Sequence, residues 1–74
     1  MLYNLNAGDF ATISGINATN AGQSLYQRLI ALGFRVGKSI QVMRKASFHG
    51  PIHVRIGSTD VILRESEAKL INIS

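Results

Sequence analysis

The chain has 74 residues, 46% hydrophobic and 16% charged, and contains no cysteine. That is enough for one small domain burying about 60% of its unfolded surface; it is too apolar for a disordered chain, too interrupted for a membrane span, and without thiols it excludes disulfides and thiolate metal sites. Eight Lys and Arg against four Asp and Glu give a net charge of +4, which favours an acidic partner, whether nucleic acid, anionic lipid or an acidic protein face, without choosing among them.

The opening "MLYNLNAGDF" lacks a basic segment followed by a long apolar run, so no secretory signal is expected and the cytoplasm is the expected compartment. From Phe10 to Ile16, "FATISGI" sets Ala11, Ile13 and Ile16 off from polar neighbours, the alternation of a half-buried strand. "NATNAG" breaks it. A short helix follows in "SLYQRLIALG", with Ser24 and Gln27 fitting a capping box and Leu25, Leu29 and Leu32 on one face; Asn20 with Gln23 offers a start one turn earlier. Gly33 suits the left-handed residue that ends a helix, and Phe34 can then cover Leu29 in a Schellman-type contact.

The next stretch, "GFRVGKS", invites comparison with a nucleotide-binding P-loop. Only Phe34, Arg35 and Val36 separate its two glycines, too few to wrap a phosphate, and the order is helix, loop, strand, the reverse of what a P-loop needs. After Gly37, Ile40 and Val42 alternate with Gln41 and Met43 in a second strand. "SFHGP" reads as a turn at Gly50-Pro51, and "PIHVRI" as a third strand, with Ile52, Val54 and Ile56 inward and His53 and Arg55 outward. Gly57-Ser58 is a two-residue hairpin signal leading to a fourth strand with Val61 and Leu63 inward. "ESEA" suits a helical turn, and Leu70 or Ile71, with Ile73, closes the chain as a fifth strand. A sheet this small, with open edges and one apolar face, is best served by curling. The expected fold is mainly β: a small SH3-like barrel of five short strands, with one short helix inserted between strands 1 and 2 and plugging an open end.

"LYQRLIALGFRVGKSIQV", with "GPIHVRIG" and "VILRESEAKLINI", resembles the FeoA family, ferrous iron transport protein A, over nearly the whole chain. The likeness is carried by Arg28-Leu29, Leu32-Gly33-Phe34, Gly37, Ile40 and Val42, and then by Leu63-Arg64 and Glu67-Ala68. Two departures stand out: Val36, where members commonly have proline, and "SFHGP", where they often carry P-L-G-D-P. The resemblance implies a single SH3-like domain over residues 1–74 that is neither enzyme nor iron store. It implies a cytoplasmic accessory of the FeoB-type ferrous iron transporter, a membrane protein with its own G domain, and membrane proximity with it. The fold is also similar to the C-terminal domain of iron-dependent repressors, which keeps a regulatory reading open.

The expected partner-binding residues are Tyr26, Arg28, Ile30, Arg35, Gly37, Lys38, Arg44 and Lys45. Tyr26 and Ile30 lie about 100–140° round the helix from Leu25, so either they widen the apolar face toward a partner or the helix is sunk deeply enough to bury both sides. Arg28 either reaches an acidic surface or stays solvated on the helix flank. Arg35, Lys38, Arg44 and Lys45 read as a local basic cluster that either steers encounter with an acidic surface or lies solvated along the strand. No cofactor, metal ligand or catalytic residue is expected: His49 and His53 read as surface residues with Asp9, Asp60, Glu65 and Glu67 far off, and no serine is placed on a nucleophile turn beside them. A nucleic-acid-binding barrel remains the alternative on charge, with Arg44, Lys45 and Arg55 for phosphates, but few aromatic residues are available to stack on bases.

Overall fold

The alternating segments become strands. In the computed structural model, which describes residues 1–17 and 23–74 (Gln23 by its backbone alone), β1 spans Phe10–Ile16, β2 Ser39–Lys45, β3 Ile52–Ile56, β4 Thr59–Leu63 and β5 Ile71–Ile73. Helix α1, Gln23–Ala31, lies between β1 and β2, and the single turn α2, Glu65–Ala68, precedes β5. All neighbours pair antiparallel in one sheet ordered β4-β3-β2-β1-β5. Its inward residues, Ile13, Ile40, Val42, Ile52, Val54, Ile56, Val61, Leu63 and Ile71, share one buried cluster with Leu29, Phe34 and Ala68, so the sheet curls round a single core as an SH3-like barrel does.

Three features differ from the sequence-based expectation. Leu2–Asn4 forms a 3-10 turn whose Leu2 and Tyr3 are buried in the core and which packs against β5 and α2. Helix α1 already includes Gln23, the first residue described there, which puts Ser24 inside the helix and not at its cap; the alternative start at Asn20 lies outside the described residues. Of the three expected core leucines of α1 only Leu29 is fully buried, while Leu25 and Leu32 pack against the core's margin.

The far end of α1 follows the expected Schellman geometry. The Phe34 N–H donates to the Leu29 carbonyl at 2.9 Å and the Gly33 N–H to Ile30 at 3.0 Å, with Gly33 at φ 103° and both Leu29 and Phe34 in the core. Next, the Lys38 N–H donates to the Arg35 carbonyl at 3.1 Å with Gly37 at φ 93°, the pattern of a type II turn with Val36 at its second position. The turn is anchored on β1 by two backbone bonds, Gly37 N–H to the Ile13 carbonyl at 2.8 Å and Ile13 N–H to the Lys38 carbonyl at 2.9 Å.

Proline fits the second position of a type II turn and loses no hydrogen bond there. Val36→Pro is therefore expected to stabilise the protein by about 0.4–1 kcal/mol, and Gly37→Ala to destabilise it by more than that, because Ala is strained at positive φ. Urea unfolding midpoints of the two variants and the native chain check both signs.

Candidate functional site

The amphipathic spacing of α1 turns Leu29 inward and leaves Tyr26, 36% exposed, and half-buried Ile30 beside it. The helix is sunk enough to half-bury Ile30 and not enough to bury Tyr26, so burial of both sides does not hold. Arg28 has an internal partner. Its Nη1 donates to Glu67 Oε2 at 2.8 Å, tying α1 to α2, while Glu67 Oε1 accepts the Arg64 N–H at 2.9 Å. Arg28 is a brace between two helical segments before it is a surface for anything else.

The basic cluster does not stay together. Arg35 and Lys38 are exposed on the glycine turn, with Gly37 and the 68% exposed Val36. Arg44 is exposed at the other end of β2; at about 3.3 Å per residue it stands about 20 Å from Lys38, beyond effective electrostatic cooperation at physiological salt. Lys45 is half-buried, its ammonium donating to the carbonyls of Tyr3 and Leu5 and lying 4.5 Å from the Tyr3 ring centroid. It holds the N-terminal turn against β2. Of the eight expected residues, the structure gathers Tyr26, Ile30, Arg35, Gly37 and Lys38 along α1 and its following turn, leaves Arg44 at the opposite end, and engages Arg28 and Lys45 internally.

Further residues complete the outer sheet face, of which Phe10 was not singled out from the sequence. Phe10, 70% exposed, stands in a cross-strand row with Gln41, Arg55 and Asp60. The alternation that sends Ala11 and Ile13 inward sends Phe10 out, so the signal was present. With Ser39, Gln41, Arg55 and Gly57 it lines a depression of about 230 Å³. Arg55 grips Asp60 bidentately, Nε to Oδ1 at 2.7 Å and Nη2 to Oδ2 at 3.1 Å, and His53 Nε2 lies 3.1 Å from Asp60 Oδ2. The Arg55 hydrogen bonds are the main reason that the Asp60 carboxyl is held down at about 2. A second cavity, of about 400 Å³, is bordered by Arg44, Ala46, Ser47, Pro51, His53 and Ile62.

Contrary to the sequence-based reading, each histidine has an acid beside it: His53 has Asp60, and His49 Nδ1 donates to Glu65 Oε2 at 2.6 Å, holding the Glu65 carboxyl below its usual range. Neither pair gains a third ligand, and among the described residues no three His, Cys, Asp or Glu side chains are placed to hold a metal ion. The aromatic residues are dispersed as well. Tyr3 and Phe34 are buried, and of the most exposed aromatic residues Phe10 begins β1 whereas Phe48 lies in the turn between β2 and β3, so they offer no continuous stacking platform for nucleic-acid bases.

Comparison with known proteins places this geometry. The FeoA domain model matches residues 1–74. A FeoA from Stenotrophomonas maltophilia, solved in complex with zinc and described as a prokaryotic SH3 domain protein and a candidate activating factor of bacterial ferrous iron transport, is 28% identical with a TM-score of 0.87, the match covering 99% of this chain and 87% of that one. Iron(II) transport protein A from Clostridium thermocellum is 32% identical with a TM-score of 0.85, over 97% of this chain and 43% of that one. A manganese-dependent transcriptional repressor shares the fold at 24% identity and a TM-score of 0.83, over 95% of this chain and 38% of the repressor. No curated relative matches the sequence.

The Asp60 ion pair has a definite pH signature. Because its folded pKa is lowered from 3.8 to about 2, its contribution to stability is complete above the unfolded value and is lost as the pH falls from there toward the folded one. Asp60→Asn is expected to flatten the fall of the thermal midpoint over that acid range while leaving Glu65's contribution in place; melting curves of both proteins through the range check it.

Proposed function

The chain belongs to the FeoA family, and on that premise we propose that it serves ferrous iron transport by binding the cytoplasmic part of a FeoB-type transporter through the exposed flank of α1 and the glycine turn after it. The observation that carries the reading is the continuity of that surface. Tyr26 and Ile30 supply an apolar strip on the helix, and Arg35 and Lys38, which make no ion pair among the described residues, supply positive charge directly after it. An aromatic anchor bordered by unpaired cations suits an acidic protein face.

In this reading the domain, residues 1–74, works by binding free energy alone. Contacting one conformation of the transporter more strongly than another shifts the population toward that conformation, by no more than the difference in the two affinities. Arg28 acts indirectly: its bond to Glu67 holds α1 at the angle that presents Tyr26. The likeness to the manganese-dependent repressor supports the shared fold and nothing finer.

The test is association with the purified transporter. Tyr26→Ala and Ile30→Ala are expected to weaken binding about tenfold or more, mainly through faster dissociation. Arg35→Glu and Lys38→Glu are expected to slow association and reduce its salt dependence. Arg28→Glu repels Glu67 and is expected to lower the thermal midpoint as well. Unchanged affinity in all four surface variants, with unchanged melting, would place the interface elsewhere.

A further inference from the structure

The turn joining β2 to β3 is built against local preference. Phe48 and His49 have φ of 58° and 60°, in the left-handed region that Gly and Asn enter readily and Phe does not. The Gly50 N–H donates to the Ser47 carbonyl at 3.2 Å, closing a turn of the I′ kind on those two residues. Several contacts fix it. His49 is bonded to Glu65 of α2, the Tyr3 hydroxyl donates to the Gly50 carbonyl at 2.9 Å, and the Ala46 N–H donates to the Pro51 carbonyl at 3.0 Å. Gly50 sits so close that a Cβ there would fall 2.6 Å from the Ala46 Cβ. The outermost side chain of this braced tip, Phe48, is 99% exposed. The ring gains no burial to offset its backbone strain, so its use lies outside the molecule.

The surroundings say what it meets. Behind the tip, Pro51 and the exposed Ile62 form a ridge shared by two hollows, one bordered by Arg44 and the other by Arg64. Neither arginine makes an ion pair among the described residues. Glu65, the acid on this side, is already matched by His49 and by Lys69 at 3.7 Å. A lone convex phenyl with positive charge on both sides offers a protein partner little apolar area to seal around, whereas stable protein interfaces bury about 800 Å² per partner with a desolvated centre. An anionic bilayer needs only an apolar wedge and unpatterned positive charge. We propose that the β2–β3 tip is a membrane-contact wedge, with Phe48 entering the boundary between headgroups and acyl chains of an anionic bilayer while Arg44 and Arg64 meet lipid phosphates on either side.

This contact is separate from docking through α1 and is tested without the transporter. The chain has no tryptophan, so Phe48→Trp introduces a single indole reporter at the tip. Its emission is expected to shift to shorter wavelength with vesicles of phosphatidylcholine mixed with phosphatidylglycerol and not with phosphatidylcholine alone, and added salt is expected to reverse the shift. In the otherwise native chain, Phe48→Ser is expected to lower co-sedimentation with the anionic vesicles about tenfold without moving the thermal midpoint, since the ring supports nothing inside the fold. Arg44→Gln is expected to lower it less. Emission unmoved by either vesicle, or native co-sedimentation by Phe48→Ser, overturns the proposal. A shift seen only with detergent-solubilised transporter also overturns it and makes Phe48 a protein contact. Docking through Tyr26 and Ile30 stands or falls on its own affinities in either case.

Discussion

A helix as short as α1, nine residues in its described part, does not persist in water on its own hydrogen bonds, because nucleation costs more than a few turns return. Helix α1 exists because Leu29 and Phe34 are both buried in the core, and because Gly33, free to adopt φ 103°, lets the chain reverse sharply enough for both to get there. Leu25 and Leu32 lie only at the core's margin. The flank that carries Tyr26 and Ile30 therefore rests on one buried pair at one end of the helix. The helix that carries Tyr26 and Ile30 is held to the core by Leu29 and to α2 by Arg28's bond to Glu67, and the glycine turn is held by its two bonds to Ile13. The same few contacts that build the local fold set the spacing between the apolar strip and the charges after it.

Charge is distributed by a similar division. Arg55, Arg28 and Lys69 face acids, and Lys45 faces the carbonyls of Tyr3 and Leu5. Of the cations that make no ion pair among the described residues, Arg35 and Lys38 fall at one end of the sheet and Arg44 and Arg64 at the other, Lys45 being taken up by those carbonyls. Net charge alone suggests one basic face; pairing converts it into two separate positive ends, each beside an exposed apolar residue, Val36 at one and Phe48 at the other. Exposed pairs such as Arg55–Asp60 add little stability. Their larger effect here is to remove charge from the middle of the outer face.

Local rules made most of the fold legible. The alternation in "FATISGI" and "PIHVRI", the helix end at Gly33-Phe34 and the hairpin at Gly57-Ser58 all lie within a few residues of the atoms they control. What escaped was long-range or contrary to propensity. Leu2 and Tyr3 belong to no periodic pattern, so nothing nearby announces that they close the core. Arg28 and Glu67 are far apart in the sequence and meet only through the barrel. Lys38 and Arg44 look adjacent in print, yet a strand between them is long enough to separate their fields. In "SFHGP" the turn closes on Phe48-His49, two residues before the expected Gly50-Pro51, because Phe and His are poor candidates for positive φ. Gly50 serves instead through its close approach to Ala46. The candidate site was half visible for the same reason: Tyr26, Ile30, Arg35 and Lys38 share a short segment, whereas the roles of Lys45 and Phe48 depend on Tyr3, Glu65 and Gly50.

On the proposed reading, in which the chain acts by binding, its effect is limited by the free energy each contact supplies, and one short helical flank on a domain this small supplies little. Two weak contacts on a rigid frame do more than either alone, because once the first is made the second is intramolecular and its effective concentration is set by the frame and not by diffusion through the cell. The sheet is such a frame: β2, paired along its length with β3 apart from a bulge between Val42 and Arg44, leads from the glycine turn toward the hairpin tip, about 20 Å at strand spacing. A wedge at one end that keeps the domain at the bilayer surface raises the encounter rate of the other end with any partner embedded there, without any contact between the two sites. In such an arrangement the strain at Phe48 and His49 is useful because a tip that yields cannot orient the helix flank at the far end of the strand.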